Sequence, residues 1–428
     1  MTDTNSNESG RDEPEWESDR DELEWKSDES GRDEPERTSD LLAGVTVALG
    51  VTGSIAAVKT VELAHELRRH GATVRGVMTE SAQGILHPWA VEFATDGPVV
   101  TEITGAVEHV ELCGRDGWAD VLLIAPATAN TVGKVAAAVD DSPVTTAATT
   151  ALGAGVPTVV VPAMHEPMYD HPGVLDAIDR LESWGVQFVD PRIEEGKAKI
   201  AAASTVVTET ARAVHDTPLA GQSVVVTAGA TTESVDPVRV LTNRASGKTG
   251  RAVARACYAA GATVTVVHDG PAIPWADTRQ VESAEEMLAA TRAACADHDA
   301  DALVSAAAIA DYTPAGDGAD EKIRSGRESL TLSLEPTPKL IDEISAAFPD
   351  LTVVGFKTET SGEDAAMIER ARETMARAGL AFVVANDASV MGADETRTLF
   401  VHDDSVSTFA GSKTALGTAV ADELADVV

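Results

Sequence analysis

The sequence predicts an α/β fold, with two doubly wound domains of mostly parallel sheet behind a disordered acidic tail. Three observations carry this. Apolar, β-branched runs recur at Val45–Leu49, Thr73–Met78, Val121–Ala125, Thr158–Val161, Val224–Thr227, Thr263–Val267, Leu303–Ser305, Thr352–Gly355 and Ala381–Ala385, with helical segments between them. Such alternation builds parallel sheets. A helix–glycine–strand phrase occurs twice, as HGATVRGVM and AGATVTVVH, which reads as one βαβ device used in two Rossmann-like domains. The length of 428 residues, 43% of them hydrophobic, suffices for two cores.

Residues 1–40 hold 16 acids and 5 bases and almost no aliphatic side chains. They repeat ESGRDEPE at Glu8–Glu15 and Glu29–Glu36, and eight polar residues bury nothing to offset their ordering entropy. Trp16 and Trp25 are the tail's only candidate anchors for a partner. The tail does not explain the acidity: it carries −11 of the formal −37, leaving −26 on the remainder. A folded surface this acidic repels nucleic acid and anionic membranes. It suits a halophile, where salt screens self-repulsion, so stability against unfolding is expected to rise with salt; maximal stability in dilute buffer would overturn that reading.

Cys113, Cys257 and Cys295 form no disulfide or metal pattern, and neither a signal sequence nor an apolar run of membrane length is present. A cytoplasmic protein is expected.

In the first domain, a strand from Val45 to Leu49 enters a glycine turn, Gly50 to Gly53. Ser54 then caps a helix whose Ile55, Val58, Val61 and Leu67 fall roughly on one face, with Gly71 closing it. Thr79 and Ser81 follow the next strand, and Pro126-Ala127-Thr128-Ala129-Asn130-Thr131 follows Val121–Ala125. Short hydroxyl side chains at three strand ends, on the edge where open α/β sheets bind ligands, suit the phosphate and ring of a flavin mononucleotide. His109 lies in VEHVEL, before Trp118-Ala119-Asp120, and PAMHEPMY occupies 162–169.

Over roughly residues 43–200 these segments together resemble the homo-oligomeric flavin-containing cysteine decarboxylases, whose domain is flavodoxin-like. The resemblance implies FMN held by Gly53, Ser54, Ile55, Thr79, Ser81, Thr128, Asn130 and Thr131. It makes His109 the active-site base, and Met164, His165, Met168 and Asp141 substrate contacts. It also implies oxidation of the substrate thiol by flavin to give an electron sink, loss of carbon dioxide, and return of the electrons. The chain departs from the family at several points. His165 and Tyr169 replace the family's asparagine and tryptophan, and Asp140 or Asp141 replaces another asparagine. DPRIEEGKAKI at 190–200 lacks the flap cysteine of the bacterial enzymes. Lys197, Lys199 or a water is left to protonate the product, and a decarboxylase domain inactive for want of the cysteine is the non-enzymatic alternative.

A Pro/Gly-bearing junction, HDTPLAGQ at 215–222, separates a domain over 41–217 from one over 218–428. In the second, Val224–Thr227 runs into AGATTESVDPVRVLTNRASGKTG: strand, long loop and helix N-terminus, an arrangement that holds anions. SGKT is no Walker loop, since the required earlier glycine is Thr242. An NAD(P)-dependent oxidoreductase is the rival enzyme, although neither glycine turn has the full GxGxxG spacing.

The loop, AAAIADY at 306–312, EKIR at 321–324, VGFKTET at 354–360 and AND at 385–387 occur in order and resemble phosphopantothenate–cysteine ligase over essentially residues 221–428. The resemblance implies that Asn243 holds an acyl-nucleotide intermediate, that Lys322 contacts the activated carboxyl, and that Asp311, Pro338 and Phe356 line the nucleotide site. CTP with Mg2+ is the expected substrate and ATP stays open, because Arg370 and Arg377 stand near where CTP-using ligases carry lysines. No metal ligands are identified. The two halves together resemble the bifunctional decarboxylase–ligase family of coenzyme A biosynthesis: one makes the other's substrate. A homo-oligomer acting on small molecules is expected.

Overall fold

The computed structural model describes residues 37–194, 197–316, 319–326, 328–359, 363–387 and 395–428; the acidic repeats with Trp16 and Trp25 lie outside them. The first domain is built on a six-stranded, wholly parallel sheet. Its order is Val99–Val100, Thr73–Met78, Thr46–Val51, Val121–Ala127, Thr158–Pro162, Gln187–Phe188. Chain order reverses between Thr46–Val51 and Val121–Ala127, which creates the crevice where doubly wound sheets bind ligands. Both strands are buried almost throughout, as parallel strands covered on both faces must be.

The helical periodicity after Ser54 is where expectation and structure part. Ile55–Lys59 is a 3-10 turn, and the α-helix proper is Thr60–Arg69. Ile55 and Val58 are therefore 77% and 54% exposed, while Leu63, Ala64 and Leu67 are buried. Three residues per turn in the first segment put its apolar side chains out of phase with the 3.6-residue helix that follows. Order also begins earlier than Val45. Thr38 N donates to Arg69 O at 2.9 Å, Ser39 meets the ring of His70, and Leu41 and Leu42 enter the core.

The second domain carries an eight-stranded sheet in the order Asp277–Gln280, Thr263–His268, Ser223–Thr227, Ala302–Ser305, Thr352–Glu359, Phe382–Asp387, Glu395–Val401, Val406–Ser412. The first six are parallel, and the last two add an antiparallel hairpin. The twin phrases HGATVRGVM and AGATVTVVH occupy matching places, each a helix closed by a glycine of positive φ (Gly71 at +96°, Gly261 at +102°) before a strand beside the central one.

Helix Ala203–Val214 joins the halves. Its Val206, Val207 and Ala211 sit in the first core, which Ala259 of the second domain also enters. Arg212 stacks over the Tyr258 ring at 4.1 Å and donates to the carbonyls of Tyr258, Gly261 (3.1 Å) and Ala262 (3.0 Å). Tyr258 in turn donates to the buried Glu209 at 2.9 Å. Arg212, Tyr258 and Glu209 thus each find a partner at this junction.

Candidate functional site

At the crevice of the first sheet the strand ends interlock. Thr52 Oγ1 donates to Pro126 O (2.8 Å) and accepts from Thr128 N (3.1 Å), which ties the two switch-point turns together. Ser54, Thr79 and Thr128 each accept a bond from the first turn of a helix, at Ala56 N, Ala82 N and Thr131 N, as N-caps do. Their protons do other work. Ser54 Oγ donates to Ala163 O at 2.9 Å. Thr79 and Ser81 lie 3.0 Å apart, as do Thr128 and Thr131. In each such pair one hydroxyl proton fills the mutual bond and the other is left to donate outward. A Cβ on Gly53 would stand 2.4 Å from Ser81 Oγ, so only glycine lets the two turns close. Exposed Ile55 adds apolar surface beside them, and Asn130 is exposed at the same edge. The donors and the apolar face fit a flavin nucleotide.

His109 lies on the short helix Glu108–Cys113, which starts after Val107 at φ +54°. A β-branched residue in the left-handed region is strained, and Glu108, accepting from Thr104 N at 2.8 Å, closes the loop that enforces it. His109 Nδ1 is buried with no hydrogen-bond partner among the described residues. The helix packs on Pro143–Ala154, whose N-terminus follows Asp140 and Asp141. Both aspartates are engaged: Lys134 Nζ reaches Asp141 at 2.6 Å, and Thr149 Oγ1 donates to Asp140 at 2.5 Å. An aspartate here would meet a substrate carboxylate with like charge, and at Asp141 the Lys134 ammonium offsets that charge.

Met164–His165 forms an antiparallel strand with Lys197–Lys199, which pairs with Arg192–Glu194. The cysteine-free stretch is thus a hairpin strapped to the PAMHEPMY segment, with Lys197 opposite His165 in register. Met168 is half exposed, and burial with the nearby Asp190, Glu182 and Asp170 carboxylates pushes the Tyr169 hydroxyl up. All three cysteines are buried. Burial raises Cys113 and Cys257 to about 12 and Cys295 to about 11, so none supplies a thiolate.

In the second domain, residues far apart in sequence meet. Asn243, Asp311, Pro338 and Phe356 line one cavity of about 660 Å³. Asn243 Nδ2 donates to Ala308 O at 3.0 Å, and Ala308 N is itself held by Gly229 O at 2.9 Å. Lys322 is not among the lining residues of this cavity. Its neighbour Ile323 donates its N–H to Asp236 at 3.1 Å, and Asp236 also accepts from Val238 N and Arg239 N, both at 2.9 Å, and from the Arg239 guanidinium. Burial works against the Asp236 charge, but these bonds win and hold its carboxyl below the usual range. Its contribution is therefore present above the unfolded carboxyl value of about 3.9 and is lost as pH falls through the folded value. Asp236→Asn is expected to slow ligation and to abolish this acid limb, read from turnover and from unfolding against pH.

Helix Lys248–Ala259 begins at Gly247, φ +67°, with no side-chain cap, a helix N-terminus of the kind that suits an anion. A Cβ on Gly247 would lie 2.9 Å from Gly229 N, and one on Gly250 would lie 2.6 Å from Ala228 Cβ; both glycines serve the close approach of the two loops. Sequence reasoning missed Lys339, which pairs with Asp311, and Asp342, which pairs with Arg377. Arg377 lines the cavity but carries this partner, which weakens its expected role as a phosphate cation. Among the described residues, no three His, Cys, Asp or Glu side chains converge as a metal site, and no helix is long and apolar enough to cross a membrane.

A flavoprotein family model matches residues 35–215, and the DNA/pantothenate metabolism flavoprotein C-terminal domain matches residues 219–428. The coenzyme A biosynthesis bifunctional protein of Thermococcus kodakarensis is 47% identical over 366 residues, covering 85% of this chain and 90% of its own. Its namesake in Methanocaldococcus jannaschii is 34% identical over 396 residues, covering 91% and 96%. That of Escherichia coli is 33% identical over 369 residues, covering 81% and 87%. Relatives of this identity align along both halves in the same order, so the chain belongs to the family of bifunctional coenzyme A biosynthesis proteins, enzymes that join a flavoprotein decarboxylase to a phosphopantothenate–cysteine ligase.

Proposed function

We propose that the second domain uses CTP with Mg2+ to ligate cysteine to 4′-phosphopantothenate, and that the first, with FMN, decarboxylates the product to 4′-phosphopantetheine. The observation that carries the reading is the convergence of Asn243, Asp311, Pro338 and Phe356 on one cavity from positions spread over more than a hundred residues. Asn243 offers both an acceptor and a second N–H to an acyl-nucleotide once Ala308 O has taken the first. The N-terminus of helix Lys248–Ala259, which no side chain caps, suits phosphate. Lys322, on a segment tethered by Asp236, supplies a cation where carboxyl activation develops negative charge.

In the first domain FMN, when bound, supplies the redox chemistry that lets the carboxylate leave. The paired hydroxyls at Thr79–Ser81 and Thr128–Thr131 orient it, and Gly53 admits the close turn. His109, its Nδ1 buried and unpartnered, takes the substrate's proton. Met164, His165 and Met168 hold the substrate under the hairpin, where Lys197, Lys199 or a water returns a proton to the product. A Lys197→Ala/Lys199→Ala variant with undiminished decarboxylation would leave the water alone.

The protein acts as a homo-oligomer. Exposed Trp89 (75%), Phe93 (68%), Val107 and Val110 in the first domain, and Val238 and Val240 on the hairpin of the second, are apolar surface that a second copy covers. Gly53→Ala is expected to drive Ser81 aside and lower the flavin recovered per chain, measured by visible absorbance; unchanged flavin content would remove Gly53 from the site. The decisive assay supplies phosphopantothenate, cysteine and either CTP or ATP at high salt. Cysteinyl amide and phosphopantetheine should both appear, with CTP the better nucleotide. Absence of the amide with either nucleotide overturns the ligase reading, and absence of phosphopantetheine from supplied phosphopantothenoylcysteine overturns the decarboxylase reading.

A further inference from the structure

Between the two domains lies a cleft of about 860 Å³ lined by Arg37, Lys248, Arg251, Arg255 and Lys413, with no acid among its described lining residues. In a chain of formal charge −37, a lining whose charged side chains are all cationic runs against the overall balance. The cations come from three separate elements. Lys248, Arg251 and Arg255 share one face of helix Lys248–Ala259 at i, i+3 and i+7. Lys413 opens the helix packed against it, and Arg37, which also pairs with Asp40 at 2.7 Å, comes from the start of the first domain. Arg255 donates to Thr414 Oγ1 at 3.2 Å; burial lowers its pKa, with Glu66 opposing. A cation is thus held partly desolvated at the cleft wall, at a cost that a bound anion offsets.

Two features indicate what enters. Lys248 and Lys413 also line the cavity around Ser246–Gly250, so the cleft continues from the ligase loop. Its far wall is the helix Ala203–Val214, through Ser204, Thr205 and Thr208, and that helix follows directly on the hairpin paired with Met164–His165. The cleft therefore borders the machinery of both halves. Its volume is that of a site for a small organic molecule rather than an inorganic ion, and Trp275, its ring tilted 35° to that of Tyr258 at a centroid distance of 5.0 Å, gives it one apolar side.

We propose that this cleft binds the phosphorylated product of ligation through its phosphate and carboxylate and retains it on the way to the flavin domain; the inference rests on the two-activity reading above. The product is a polyanion, and an acidic outer surface would repel it once it escaped. Cationic walls of low dielectric focus it instead. Of the lining residues, Arg37 and Ser204 lie outside both sets of catalytic groups, while Lys248 is shared with the ligase loop.

The test uses the full-length enzyme with FMN, labelled phosphopantothenate, cysteine and CTP, and an excess of unlabelled phosphopantothenoylcysteine. Phosphopantetheine should retain label at least about threefold above the value for free mixing, given the ~10-fold or greater enrichment that such a cleft produces. Ser204→Glu, at an exposed position on the far wall, and Arg37→Gln should each bring label down to the free-mixing value. Each half-reaction, assayed alone at saturation, should be unchanged. Free mixing in the unaltered enzyme, or retention undiminished in both variants, overturns the inference while leaving the half-reactions, and so the two-activity reading, in place. CTP binding is counted in parallel. Two nucleotides per chain, falling to one in Ser204→Glu, would make the cleft a nucleotide site and also overturn it.

Discussion

Asn243→Asp is expected to lower ligation by ~100-fold or more, equivalent to about 2.7 kcal/mol of transition-state stabilisation. The asparagine spends one N–H on Ala308 O at 3.0 Å and keeps a second N–H and its carbonyl for the acyl-nucleotide. An aspartate has no proton to give Ala308 O and would set a carboxylate against that carbonyl. It would also face the intermediate's phosphate with like charge. Turnover should stall with acyl-nucleotide bound or fail before it forms, seen by quenching the reaction and separating the nucleotides. Decarboxylation of supplied phosphopantothenoylcysteine by the same variant should match the unaltered enzyme. Ligation at the normal rate would remove Asn243 from the site.

The complementary result is expected at His109. His109→Gln should lower decarboxylation by ~10²–10⁴-fold, the usual contribution of a positioned general base, with ligation and bound flavin unchanged. The backbone argues for a functional site here: Val107 is held at φ +54° to start the helix that carries His109, and strain of this kind persists where the surroundings over-determine it. Glutamine keeps the size and one hydrogen-bonding end of the ring but cannot take up a proton. Loss of flavin together with activity would mark His109 as a packing residue, and full activity would remove it from the chemistry.

Much of the scaffold was legible because parallel strands are written as continuous apolar runs. Thr73–Met78 was read with its observed bounds, and most of the others came within a few residues. Ile55 and Val58 were misplaced because periodicity assumes one helix type, and the chain changes from 3-10 to α within a few residues. The ordered motifs named Asn243, Asp311, Pro338 and Phe356 together, and the fold brings the four to one cavity. Its charge pairs were not legible, since Asp311 and Lys339 lie 28 residues apart and Asp342 and Arg377 lie 35 apart, with nothing local to link them. In the sequence Asp236 is only one residue of the long loop after Val224–Thr227. Its role in pinning Ile323 across 87 residues is a property of the folded chain. The interdomain cations are invisible for the same reason: they come from three segments, each of which alone reads as solvated.

Arg212 has a consequence for how the halves communicate. It grips the carbonyl end of a helix whose opposite end, at Gly247, is the uncapped N-terminus proposed above for phosphate. That helix is twelve residues long, a rod of about 18 Å. A cation at one end and phosphate at the other each complement its dipole. The rod therefore ties its two ends together mechanically: Arg212 of helix Ala203–Val214 clasps the end opposite Gly247.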